Sequence, residues 1–419
     1  MTRRKKGSNP IRLLILLLLA GAGAYFSLVV VPTTPPLFIP TNTPTTSPQS
    51  YVTNAESLAS QGKFTQAIQV YNQAVQSDPK NAGIYINLAR LQIYTGNFKD
   101  AKTNVETALM LNPNNSLGEA MMGYILGNEG DYLGAEGALD KAISLDPNNA
   151  IAYAYYTEVL VLEINDQKNE LGALDKATAY SRKALDLNSN LMETHRSRGD
   201  LLENTSNYEE AVTEFQAAIA INPNISDLHL ALGRNYRALQ QLPKAIEEFN
   251  RANALNPFDP LANTYISRTY LQSGDYAKAV QYAAAAIKVS PNDPYLYGNL
   301  GVAYYGSKQY KEAIDALKLA VRGGTTADGA AVQGLPLDYN IRIMEYYYKY
   351  GLALARSGIA GSCGEALQIS QMIQQVVPND ETSVYNAQEM PKICHELITG
   401  TATPTKPPTG AQVAPTKKP

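Results

Sequence analysis

Four arginines have a spacing that suits capture of an anion: Arg196, Arg234, Arg237 and Arg268. Arg234 and Arg237 lie three residues apart, which on a helix puts them on one face. A guanidinium is a planar fork whose N–H groups match the two oxygens of a carboxylate. Glu193, Asp200, Glu203 and Asp227 occupy the same stretch at similar phases, so pairing inside the chain competes with capture from outside. The other reactive groups are Cys363 and Cys394, the two cysteines of the chain. An even count in an exported chain predicts a disulfide, with two buried thiols as the alternative. His395 adjoins Cys394 without a second near ligand, so no metal site is expected. HExxH, GxSxG and phosphate-loop patterns are absent from the sequence, so neither catalysis nor a cofactor is expected.

The elements that must position these residues announce themselves by period. Alanine recurs at Ala67, Ala101, Ala135, Ala177, Ala211, Ala245, Ala279 and Ala313, in steps of 34 residues except one of 42. A second column follows seven residues later, from Ala74 to Ala320, and a proline five beyond that at Pro79, Pro113, Pro147, Pro223, Pro257 and Pro291. Twelve residues before each first-column alanine except Ala177 stands another small residue: Ala55, Ala89, Gly123, Gly199, Gly233, Ser267 and Gly301. Small residues at fixed points let two helix backbones approach closely, and the aromatic or leucine three before each alanine fills the space beside them. Glycines at 62, 96, 130, 172 and 274 mark a left-handed helix end, and each proline stops the second helix. Each period therefore predicts helix, turn, helix, stop. His195 and His229 share the column of Tyr85, Tyr153 and Tyr297, which predicts packing rather than chemistry.

This pattern resembles the tetratricopeptide repeat family, whose unit is about 34 residues. The resemblance implies an all-α superhelical solenoid of antiparallel helix pairs, with eight units over 51–322 and a degenerate ninth unit with a capping helix over 344–400. Eight extra residues around Asn165 to Gly172 should lengthen the fourth unit, and a loop over 323–343 separates units eight and nine. The resemblance also implies that first helices line a concave groove holding a protein or peptide. Arg196, Arg234, Arg237 and Arg268 would face that groove and take an acidic segment or a C-terminal carboxylate. The family's lysine and asparagine clamp has no matching pair here.

Leu13 to Val31 is a 19-residue stretch without a charge, long enough as a helix to span about 28 Å and cross a bilayer. Arg3, Arg4, Lys5, Lys6 and Arg12 precede it and no basic residue follows until Lys63. The positive-inside rule then keeps 1–12 in the cytoplasm and the repeats outside. A cleaved signal peptide, with Ala22–Gly23–Ala24 as its site, is the alternative. Segments 32–50 and 401–419 are rich in Pro and Thr and read as a spacer and a tail without packed structure. The net charge is -3 with no basic run in the repeats, which excludes a nucleic-acid footprint. The expected function is a membrane-anchored, extracytoplasmic, non-enzymatic scaffold for a cell-envelope complex. A passive spacer, or an enzyme with an unrecognised site, are the other readings.

Overall fold

A computed structural model describes residues 10–30, 47–166, 168 and 171–399. The basic residues before Pro10, most of the 32–50 spacer and the 401–419 tail lie outside them. The chain divides into two units, Met1–Ser50 and Tyr51–Pro419. In the first, helix α1 (Pro10–Tyr25) passes into a π-helical turn, Phe26–Val30. The stretch Pro10–Val29 has a mean hydropathy of 2.0 with no residue buried, so by length and composition it suits a membrane span or a signal sequence.

The second unit is a run of helix pairs. They are α2 (Pro48–Ser60) with α3 (Phe64–Ser77), α4 (Ala82–Tyr94) with α5 (Phe98–Leu111), and α6 (Ser116–Asn128) with α7 (Tyr132–Leu145). Next come α8 (Ala150–Asn165) with α9 (Ala173–Leu187), α10 (Met192–Asn204) with α11 (Tyr208–Ile221), and α12 (Ser226–Ala238) with α13 (Leu242–Leu255). The array continues through α14 (Pro260–Ser273) with α15 (Tyr276–Val289) and α16 (Pro294–Gly306) with α17 (Tyr310–Arg322). The closing helices are α18 (Ile341–Arg356), α19 (Ser362–Val376) and α20 (Glu381–Thr399). Helix α2 starts at Pro48, so the last residues read as spacer form its first turn. Part of the fourth-unit insertion extends α8, which runs to Asn165.

The small-residue columns are the seams of this array. Every first-column alanine from Ala67 to Ala313 is fully buried. At Gly199 a Cβ atom would stand 2.8 Å from the Phe215 ring, and at Gly233 2.5 Å from that of Phe249. Those distances are below van der Waals contact, so these first helices tolerate no side chain against their own second helices. Starts are set by short polar caps: Asn81, Asn115, Asn149, Asp259 and Asp293 each accept a backbone N–H in the first turn that follows. The inter-helix turn is left-handed in every unit that carries glycine there, and also at Ser206, Gln240 and Lys308, with φ of 61°, 60° and 62°.

Two features depart from a plain solenoid. The stretch read as an unstructured loop contains a β-hairpin, β1 (Gly323–Thr325) against β2 (Ala331–Gln333), antiparallel with Gly324 opposite Val332. It packs rather than hangs: Val332 is buried, Leu335 N–H donates to the Ala320 carbonyl, and Tyr347 O–H donates to the Leu335 carbonyl at 2.9 Å. The coil also meets itself. The buried Glu193 carboxylate of α10 accepts from Arg90 Nη2 at 2.7 Å and from Tyr94 O–H at 2.6 Å, both on α4 and about a hundred residues earlier. Unit two therefore closes against unit five. At the far end Cys363 and Cys394 form a disulfide with Cα atoms 5.7 Å apart, joining the start of α19 to α20.

Candidate functional site

First-helix residues one repeat apart stack along the concave side. One such column reads Arg90, Tyr124, Glu158, Asp200, Arg234 and Arg268, and its sign reverses between units five and six. Two adjoining cavities follow that reversal. The smaller, about 610 Å³, is lined by Glu158, Asp200, Glu203 and Asp227, and shares Arg234 and Arg237 with the larger. The larger, about 850 Å³, extends over units six to nine. Among the described residues it is lined by six basic side chains and one carboxylate, Glu345.

The acidic end is partly paired, through Glu158 and Glu203. Arg196 is only 3% exposed; its Nε donates to Glu158 at 3.0 Å and its guanidinium lies 5.1 Å from the Tyr124 ring centre. It lines a smaller cavity of about 220 Å³ with Tyr94 and Asp227, apart from the one that holds Arg237 and Arg268, and its buried Nη2 has no hydrogen-bond partner. Burial pushes the Glu158 carboxyl up to about 7 despite Arg196 beside it, and raises Asp200 well above the carboxylate range. Arg234 marks the boundary. Its Nε and Nη2 reach the two Glu203 oxygens, each at 2.9 Å, in a bidentate pair.

The basic end is different. Arg237, Arg268, Lys349 and Arg356 form no ion pair among the described residues. Arg237 lies over the Tyr265 ring, and burial followed by the neighbouring Arg268 lowers its proton affinity. Lys349 sits 4.5 Å from the Tyr305 ring centre and is likewise pushed down by burial. Arg356 Nη1 donates to the Tyr305 oxygen at 2.6 Å. Asn299, 4% exposed, accepts at Oδ1 from Tyr346 O–H at 3.1 Å and from Arg268 at 3.4 Å, while its buried Nδ2 has no partner. Of the four arginines singled out from sequence, Arg237 and Arg268 are thus unpaired in one cavity, Arg234 borders it in a pair, and Arg196 lies in the seam. Asn299, Lys349 and Arg356 escaped the sequence reading. A diagonal of 31 residues joins Glu203 to Arg234 and Arg268 to Asn299, and would have exposed the last pair.

The histidines pack as their column does. His195 Nε2 donates to the Ser189 carbonyl at 2.8 Å and His229 Nε2 to that of Pro223 at 3.0 Å, where Tyr297 O–H donates to Pro291 at 2.9 Å. Each imidazole therefore repeats the tyrosine's bond to the close of the previous unit. Its Nδ1 faces Glu214 or Glu248 at 2.6 Å.

Family models described as tetratricopeptide repeat match residues 58–123, 120–149, 196–260 and 266–328. No curated protein matches in sequence. Among solved structures, the chain is similar to one in the APC/C hetero-tetramer Cut9–Hcn1, at 19% identity and TM-score 0.47, covering 61% of this chain and 49% of that one. It thus spans about half the length of that neighbour. A Pseudomonas aeruginosa pilF structure is 21% identical at TM-score 0.41, with 49% and 90% covered. A tetratricopeptide repeat protein from Parabacteroides merdae is 18% identical at TM-score 0.44, with 67% and 99% covered. The repeats indicate a protein-interaction scaffold that binds proteins or peptides. By its repeat models, its buried small-residue columns and its helix pairs, the chain belongs to the tetratricopeptide repeat family.

Proposed function

We propose that this chain is a membrane-tethered, extracytoplasmic, non-enzymatic scaffold that holds an acidic polypeptide segment in the groove of units six to nine. The observation that carries the ligand reading is the set of unpaired cations, Arg237, Arg268, Lys349 and Arg356, around one cavity of about 850 Å³. Burial of the Arg237 guanidinium without a counter-charge is costly, and a carboxylate from a partner relieves that cost, while Arg356 stays exposed at the cavity rim. The tether reading is supported by the apolar stretch Pro10–Val29 and by the basic residues confined to its N-terminal side. A scaffold so placed would organise an envelope assembly.

Two experiments test the halves separately. Protease added to intact spheroplasts should degrade the repeats of the membrane-bound, full-length chain; protection until lysis contradicts the topology. Replacing Arg237 and Arg268 by Ala should weaken partner binding at least about tenfold, or 1.4 kcal/mol, with little change in thermal melting. Unaltered affinity would leave a spacer without a groove ligand.

A further inference from the structure

A further cavity, of about 280 Å³, opens where the closing helix α20 meets α18 and α14. It shares Arg268 and Glu345 with the larger groove cavity, and adds Arg342 of α18, Asp380 just before α20 and Ser383 in the first turn of α20. Pockets for drug-sized ligands run from about 300 to 1,000 Å³, so this one suits a single small molecule rather than a length of chain.

The charges in this cavity balance, yet they do not pair. Arg268 and Arg342 stand against Glu345 and Asp380, and among the described residues none of the four takes part in an ion pair. Arg268 donates to the Asn299 amide oxygen at 3.4 Å, and Asp380 accepts the Ser383 backbone N–H at 2.7 Å. A monoanion would answer the arginines and crowd the carboxylates, and a monocation would do the reverse. A neutral ligand with separated charges answers both pairs.

Ser383 is a separate sign of a missing partner. It is fully buried and lines the cavity, and its hydroxyl, able both to donate and to accept, has no hydrogen-bond partner among the described residues. Ile341, Met344 and Tyr348 complete the wall with apolar surface. Burial, followed by Glu345 and Asp380, pushes the Tyr348 hydroxyl up, so that this ring stays uncharged.

From this arrangement we infer that the junction of α14, α18 and α20 is a binding site for a free amino acid with an apolar side chain. Arg268 and Arg342 meet its carboxylate, Glu345 and Asp380 meet its ammonium group, and Ile341, Met344 and Tyr348 meet its side chain. The ligand is a small zwitterion, different in size and charge from the acidic segment proposed for the groove, and the inference does not rest on that reading.

The test is isothermal titration of the full-length chain in detergent micelles with L-leucine, L-leucinamide and N-acetyl-L-leucine. All three keep the side chain; the amide lacks the carboxylate and the acetyl compound lacks the ammonium charge. Leucine should bind at least about tenfold tighter than either. Arg342→Gln should weaken leucine about tenfold and leave leucinamide unchanged. Glu345→Gln should weaken leucine and leave N-acetyl-leucine unchanged. Each variant is checked for an unchanged melting curve, and either one decides the case if the other fails to fold. N-acetyl-leucine binding as tightly as leucine would mean a plain anion site, and leucinamide doing so a plain cation site; both results overturn the zwitterion site. Absence of leucine binding, or binding indifferent to both substitutions, overturns it as well.

Discussion

Both ends of the groove are built from first helices, yet one carries two internal ion pairs, Glu158 with Arg196 and Glu203 with Arg234, and the other carries none among the described residues. Units four and five place Glu158 against a buried Arg196, and Glu203 against Arg234. Units six to nine place Arg237, Arg268, Lys349 and Arg356 around a cavity with a lone Glu345. Charge density alone therefore does not identify a binding surface in a solenoid. Glu158 and Glu203 find partners on the next first helix, whereas Asp200 and Asp227 form no ion pair among the described residues. The self-contact of unit two with unit five, through Arg90, Tyr94 and Glu193, falls on the paired side.

The sharpest way to break this contrast is to remove one arginine from each end. Arg196→Ala leaves Glu158 buried without its counter-charge and should cost about 3–5 kcal/mol in urea unfolding. Arg268→Ala, which breaks no ion pair, should cost less than about 1 kcal/mol. Similar losses for both would erase the distinction. Next in size is the terminal staple. Replacing Cys363 and Cys394 by Ser opens a loop with a sequence separation of 31, and on the chain-entropy model should cost roughly 3–4 kcal/mol. Mass analysis of the alkylated, unreduced protein should find neither cysteine modified.

A pH titration sharpens the acidic end. Burial raises Glu158 to about 7 in the folded chain, well above its unfolded value near 4.3. Between those two values the folded state binds more protons than the unfolded one, so stability falls as pH rises through that window. Moving from pH 8 to pH 6 should therefore stabilise the protein, with a slope of up to about 1.4 kcal/mol per pH unit from this group. Asp200, raised in the same direction, adds to it. Glu158→Gln should flatten the slope, and an unchanged slope would mean that Glu158 ionises like an exposed acid. The smallest effect concerns Ser206, Gln240 and Lys308, held at φ near 60°. Lys308→Gly should raise stability by about 1 kcal/mol by relieving left-handed strain.

The repeat architecture was legible because it is local. A 34-residue period writes the same seam eight times, and the alanines at 67, 101 and 135 mean the same thing wherever they recur. Two of the groove arginines were legible for the same reason. What escaped depends on how units stack. Arg196 finds Glu158 one unit back and one helical turn along, and Arg90 reaches Glu193 only because the superhelix returns on itself. The hairpin over 323–333 escaped too, since strands of three residues such as Gly323–Thr325 carry too little alternation to read. Asn299 gives no sign in sequence that its amide will be left unpaired.

The account turns on which end of the groove meets a partner, and site-specific photocrosslinking in the native membrane addresses that directly. A photoreactive residue at Gln272 lines the basic cavity, and one at Asn204 lines the acidic cavity. The account predicts a polypeptide adduct from position 272 that disappears when Arg237 and Arg268 are replaced by Ala, and little or none from position 204. Adducts of equal yield from both positions, or an adduct at 272 indifferent to the two arginines, would contradict it.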